Sequence, residues 1–319
     1  LLSAVKGYAR HNCTQFAFPK DFFGATSRSQ YWNTAIFLCF CAILFRLGMG
    51  TGPHSGQFNA PRYGDYECQR HWMELTNNLP PSEWYVGSED NNLEYWRIDY
   101  PPLSAYHMKA IGWVIKQFDP AGVELHASIG YDEPFHKHLM RLSVLVSDVL
   151  IFFTAALAYC SHNGPLAMEG IKLAMRLATL VLILMAPPFL MIDHGHFQYN
   201  GVSLGLCMAA ILAYDKNYPN LCAMFFTLSL NFKQMNLYLA LPFFFTLLSY
   251  SFWGGNGNMR RTKRVSLFIL SSPSSLLRRL NILFQIAMTT IITFTIHWLP
   301  LCSNIFFQQN KNKDNTCSF

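Results

Sequence analysis

Charge is scarce in this sequence. Only 13% of its 319 residues are Asp, Glu, Lys or Arg, against about 25% in a soluble domain. A soluble enzyme with so few charges would not cover its surface, and that class is excluded first. Disorder and collagen-like structure are excluded by the 51% hydrophobic and 15% aromatic content, to which Phe alone contributes 27 residues. A cysteine framework is missing too. Cys39, Cys41, Cys160, Cys207 and Cys222 sit inside apolar runs, where cysteine acts as a small hydrophobe, and no pair among the nine has zinc-ligand spacing. There is no internal repeat. A cleavable signal peptide is not expected, because the first apolar run follows about 30 polar and mixed residues. The chain starts on Leu rather than Met, so an incomplete product is expected.

What is present is apolar length. The mean hydropathy of +0.17 is modest for a helix bundle, so one substantial polar region must lie outside the lipid. The net charge of +6 is unevenly spread: 12 of the 18 acids fall between Asp65 and Glu133, where only six Lys and Arg lie from Arg62 to Lys137. The basic excess sits in Lys6, Arg10, Lys20 and Arg28 and in Arg260, Arg261, Lys263 and Arg264. Short basic segments beside apolar spans follow the positive-inside rule. Without an aromatic-interleaved basic groove, no nucleic-acid partner is expected.

The first span is expected over about Asn33 to Met49, with residues 1–32 cytosolic and the next segment luminal. The sequon Asn12-Cys13-Thr14 would then stay unmodified. Residues 51–138 form the acidic, Trp- and Tyr-rich loop. Within it Leu103 to Phe118 has helical apolar spacing, read as an amphipathic helix on the membrane interface or, equally, as a buried helix of soluble type. Residues 139–302 make the multi-span part. Its spans are expected at Leu139–Cys160, at Ile171–Ile192 with Pro187 and Pro188 interrupting, at Tyr199–Tyr214, in two short passes between Leu221 and Phe252, and at Ile282–Leu301. Residues 303–319 are a polar tail expected not to fold. The fold class is an all-α polytopic membrane protein with a large luminal loop after the first span.

Four clusters carry residues suited to chemistry. In Tyr63 to Trp72, Asp65 follows a glycine that lets the chain turn tightly, with Glu67, Arg70, His71 and Trp72 close behind. Such a group can hold a proton-accepting carboxylate beside a site for hydroxyls, or be a solvated turn with a surface ion pair. Trp96 to Pro102, with Asp99 and Tyr100, reads as a rigid rim or as helix-start punctuation. Asp193 to Asn200 carries His194 and His196, too few ligands for a good metal site; they suit hydrogen bonding to phosphate, or capping of a span. Lys233, in mid-span, faces a ligand or cavity, or snorkels to the interface.

Taken together, these segments resemble a known family. Gly64 to Glu74, Leu79-Pro80, Glu83-Trp84-Tyr85, Asp99 to His107, Asp193 to Asn200 and Lys233-Gln234-Met235 occur in the order found in the dolichyl-phosphate-glucose-dependent α-1,3-glucosyltransferases of N-glycan assembly. The likeness runs from about Arg46 to Pro300 and is nearest to the members acting on the nine-mannose lipid-linked oligosaccharide. It implies an incomplete GT-C type fold in the endoplasmic reticulum membrane, its active site in luminal loops. The implied donor is dolichyl phosphate glucose and the acceptor a dolichyl-diphosphate-linked oligosaccharide. One displacement would invert the anomeric centre, with Asp65 as the base and no metal or other cofactor. Glu67, Arg70, His71, Trp72, Asp99, Tyr100, His194, His196 and Lys233 are the implied substrate contacts. Family members are longer, so C-terminal truncation is expected. The second glucosyltransferase of the series, an inactive truncated member and, less well, a transporter remain open alternatives; an inverted repeat would favour the last.

Overall fold

The computed structural model describes residues 28–162, 173–253 and 273–302. The basic run at Arg260–Arg264, the N-terminal basic residues, Asn12 and the polar tail lie outside the described residues. Among those described, the regular structure is helical throughout.

Helix α1, Arg28–Gly50, is 23 residues long, about 34 Å at 1.5 Å per residue, enough for a hydrocarbon layer of about 30 Å. Tyr31, Ala35, Ala42 and Arg46 form its buried stripe, while Ile36, Phe37, Phe40, Leu44 and Phe45 face outward. An outward face this apolar suits lipid, and among the described residues five helices have the length and composition to cross a membrane: Ser29–Gly50, Pro134–Ser161, Ala174–Phe197, Gln234–Phe252 and Leu276–Leu301.

Between the first two lies the polar region, built on α2, Gly64–Asn78, and α3, Pro102–Phe118. Helix α3 buries Ser104, Ala105, Met108, Gly112 and Ile115 and exposes Trp113, Val114 and Phe118. The outer apolar face beside Lys109 and Lys116 is what a helix lying at a lipid interface presents.

Helix α4, Pro134–Ser161, widens into a π-helical stretch over Asp148–Phe153. Then come α5, Leu173–Leu184, and the π-helical α6, Phe189–Phe197, separated at the paired prolines that cannot donate backbone hydrogen bonds. Arg46 Nη1 donates to the Leu184 carbonyl at this break (2.8 Å). Helices α7, Asn200–Asp215, and α8, Pro219–Phe232, pair as a hairpin. Ser203 and Ser229 exchange hydroxyl-to-carbonyl bonds across it (3.1 and 2.7 Å), polar ties that need close helix approach. The chain breaks at Lys233, passes through a 3-10 turn at Gln234–Leu239, and continues as α9, Ala240–Trp253; α10 is Pro273–Trp298.

Three hydrophobic clusters hold these parts. One joins α1, α4 and α5 through Phe152, Phe153, Leu177 and Leu180. Another joins α7 to α10 through Ala210, Phe226, Leu247 and Ile286. The largest joins α2 and α3 to the ends of α4, α6, α7 and α8 through Trp72, Met73, Met108, Val144, Phe197 and Phe232. That third cluster seats the polar region on one end of the membrane helices. The opposite end is marked by His162 Nε2 lying 3.1 Å from Asp215 Oδ2 and by Tyr250 donating to the Asn217 carbonyl (3.3 Å).

Candidate active site at the junction of the polar region and the membrane helices

Two glycines fix the start of α2. Gly56 has φ +70° and Gly64 φ +69°; a Cβ on the first would sit 2.2 Å from the Tyr63 carbonyl carbon, and one on the second 2.7 Å from that of Ser55. Only glycine lets the backbones cross so closely. Ser55 then serves both sides of the crossing: its hydroxyl accepts the Asp65 N–H (3.2 Å), and its own N–H donates to the His196 carbonyl (3.0 Å). Asp65 is thereby set in the first turn of α2 beside the segment that follows α6.

Asp65 accepts two hydrogen bonds, from His196 Nε2 (2.9 Å) and Gln198 Nε2 (2.7 Å), both on Oδ2. No hydrogen bond from the described residues reaches Oδ1. The carboxylate borders a cavity of about 520 Å³ lined also by Gln69, Trp72, Trp96, Arg97 and Asp99. Arg62 stacks on Trp96, its guanidinium carbon 5.9 Å from the ring centre. Polar edges, two indoles and a half-exposed carboxylate suit a carbohydrate, whose ring has an apolar face and a hydroxyl rim.

Gln198 and Tyr100 also border a narrow gap leading to Lys233. Lys233 Nζ donates to Asn200 Oδ1 (2.6 Å) and Gln198 Oε1 (3.4 Å) and stands 4.6 Å from the centre of the Tyr100 ring. Beyond it a second cavity, of about 530 Å³, is lined by Tyr100, Gln234, Met235, Leu237 and Tyr238. Leu237 and Tyr238 are 65% and 90% exposed, so this hollow opens onto an apolar surface. A cation held by neutral oxygens at such a mouth can meet an anionic lipid head group.

Of the residues singled out in the sequence, Asp65, Trp72, Asp99, Tyr100, His196 and Lys233 come together here. Glu67, Arg70, His71 and His194 do not. Arg70 is fully buried, its guanidinium spanning Glu67 (2.6 and 2.7 Å) and Glu74 (2.9 Å) and reaching the Gly122 carbonyl (3.1 Å). His71 Nδ1 donates to Glu74 (3.0 Å) and Tyr95 donates to Glu67 (2.8 Å). This network pins the loops around residues 95 and 120–128 to the back of α2, and its charges are spent on each other. Burial alone raises the Glu74 carboxyl, but the His71 hydrogen bond and the Arg70 charge outweigh it and hold it at about 2. His194 Nε2 instead donates to Asp148 (2.9 Å), which also takes Arg46 Nε (3.0 Å). Arg62 and Gln198 line the cavity without being among the expected contacts, and Trp96 and Arg97 line it as part of the rim expected at Trp96 to Pro102.

The sequence profile described as the ALG6, ALG8 glycosyltransferase family matches residues 38–313, most of the chain. The chain belongs to this family. It is 38% identical over 276 residues to the dolichyl pyrophosphate Man9GlcNAc2 alpha-1,3-glucosyltransferase of Gallus gallus, covering 86% of this chain and 50% of that protein. The Rattus norvegicus protein of the same name is 39% identical over 272 residues, 85% of this chain and 48% of its own length. The Saccharomyces cerevisiae one is 38% identical over 272 residues, 85% and 45%. The chain spans about half the length of these curated relatives. A membrane-embedded, all-helical architecture is what this family member displays.

Proposed function

We propose that this chain acts as an inverting α-1,3-glucosyltransferase of the endoplasmic reticulum membrane, its site facing the lumen. It takes glucose from dolichyl phosphate β-glucose and gives it to the terminal mannose of the nine-mannose, dolichyl-diphosphate-linked oligosaccharide. The observation that carries the reading is the pairing of Asp65, at the edge of a carbohydrate-sized cavity with both its described hydrogen bonds on Oδ2, to Lys233 at the mouth of an apolar hollow. The names of the three relatives support the same substrate.

In this reading the acceptor hydroxyl oxygen forms a bond to the glucose anomeric carbon as its proton passes to Asp65 Oδ1. The bond from that carbon to the phosphate oxygen breaks, and its electron pair leaves on dolichyl phosphate. Attack opposite the leaving group turns a β-linked donor into an α-linked product. Lys233 meets the charge that grows on the phosphate, and no divalent cation is needed for it.

The test is glucosyl transfer by microsomes from cells deleted for their own first glucosyltransferase and supplied with this chain. The unsubstituted chain converts the nine-mannose acceptor to its monoglucosylated form, with or without EDTA. Asp65→Asn lowers the rate by about 10²–10⁴-fold, the usual yield of a positioned general base. Transfer only to an already monoglucosylated acceptor would reassign the chain to the second step, and an equally active Asp65→Asn would remove the base.

A further inference from the structure

The short link between α6 and α7 turns at Phe197 (φ 103°), extends at Gln198 (φ −151°, ψ 171°) and bends into α7 after Tyr199 (φ −119°, ψ 40°). His196, Gln198 and Asn200 share two partners: the first two donate to Asp65, and the last two accept from Lys233. Gln198 is the one residue of the three that does both. We propose that Gln198 is a positioning residue for glucosyl transfer, holding Asp65 Oδ2 so that Oδ1 stays turned to the cavity, and standing between the base and Lys233 so that neither neutralises the other. This rests on the reading of Asp65 as proton acceptor.

An amide is the side chain this place requires. Its Nε2 must face a carboxylate and its Oε1 an ammonium, and both demands fix a single orientation of the group. A lysine or arginine here would pair with Asp65 directly and weaken it as a base. A glutamate would repel Asp65 and capture Lys233. The neutral amide orders both partners while leaving the carboxylate its charge and the ammonium free for a phosphate. Asn200 is held for the same task from the other side, its Nδ2 donating to Asp193 (2.7 Å).

The experiment compares the full chain with Gln198→Ala and the isosteric Gln198→Glu. In the transfer assay Gln198→Ala loses kcat by about 10- to 100-fold, the effect of a misplaced reacting group, while KM for the donor stays within about twofold because Lys233 keeps Asn200. The acid limb of the kcat profile moves up, because a hydrogen bond to the carboxylate is gone. Gln198→Glu moves it further. The other groups facing Asp65, namely His196, Lys233, Asp99, Cys68, Tyr100, Arg62, Arg97 and Glu94, keep their identity in both variants, and only Lys233 changes partner, through its bond to residue 198.

A second readout needs no turnover: carbodiimide labelling of Asp65 in the solubilised chain, followed by mass spectrometry as a function of pH. The labelling midpoint moves upward in both variants. If the unsubstituted chain transfers no glucose but the midpoint still moves, the functional reading fails and the positioning role stands. An unmoved midpoint overturns the positioning role, whether or not Gln198→Ala is inactive, and so does an unchanged kcat in an active enzyme.

Discussion

Gly64 sits where the chain has room for no side chain, and the consequence is carried by its neighbour. At φ +69°, with a would-be Cβ 2.7 Å from both the carbonyl carbon and the oxygen of Ser55, Gly64→Ala stores about 1–3 kcal/mol of backbone strain and pushes the Ser55 strap away. Ser55 is what holds the Asp65 N–H and the His196 carbonyl together, so the carboxylate moves with it. Thermal unfolding in detergent, read by tryptophan fluorescence, should show a lowered midpoint, and transfer activity should fall more than stability explains. Gly48→Ala is the comparison: nothing lies within 4 Å of its Cβ position and its φ is ordinary, so unfolding and activity should both hold. Asp65 was legible in the sequence because a glycine before an acid marks a tight turn. The resemblance implies Glu67, Arg70 and His71 as substrate contacts. Their spacing argued otherwise, since Glu67 and Arg70 stand at i,i+3 and Arg70 and Glu74 at i,i+4 on one helical face, where such pairs satisfy each other. Gln198 could not be told from its neighbours, because its role depends on a lysine 35 positions away.

Helix α2 works as a beam whose front carries Asp65, Gln69 and Trp72 and whose back is bolted by the Glu67–Arg70–Glu74 network. That construction has a pH window. The folded Glu74 carboxyl, at about 2, lies below its ordinary 4.5, so its ionised form stabilises the folded state above about pH 4.5. The stabilisation is lost as pH falls from 4.5 through 2, and is worth about 3 kcal/mol when complete. Glu74→Gln should therefore lower stability at pH 7 and flatten the loss between pH 4.5 and 2, measured by denaturant unfolding of the Trp72 and Trp84 fluorescence. Equal acid profiles for the two proteins would sink the assignment. Element boundaries were largely readable: hydropathy marked α1 and α4, apolar spacing marked α3, and Pro187 and Pro188 marked the break before α6. The π-helical stretches were not, because no local residue demands them. At Asp148 the widened turn serves partners far away in sequence: Arg46 and His194 converge on the carboxylate, and Gly201 of α7 packs so close that a Cβ would lie 1.9 Å from its oxygen. Such bulges answer tertiary demands.

At the scale of the whole molecule the helix ends sort into two faces, and the charges sort with them. The Asp65 cavity, the Lys233 break and the end of α10, where Trp298 donates to Asn231 (2.9 Å), share one face with the acidic region. The other face holds the start of α1, the end of α4, the turn between α7 and α8 with Lys216, and the start of α10 with Arg278 and Arg279. Cations beside helix ends stay cytosolic, which predicts that the cavity face is the translocated one. A glycosylation tag decides it. The sequence contains one Asn-x-Ser/Thr triplet, Asn12-Cys13-Thr14, ahead of the first span. Val86→Asn makes a second with Gly87 and Ser88, on the cavity face, at a position 58% exposed. In microsomes the Val86→Asn protein should gain a glycan that endoglycosidase H removes, and Asn12→Gln should leave the mobility of the unsubstituted chain unchanged. An unmodified Val86→Asn chain together with a glycan on Asn12 would invert the orientation. The cavity would then face the cytosol, away from the lumen in which the proposed reaction is set.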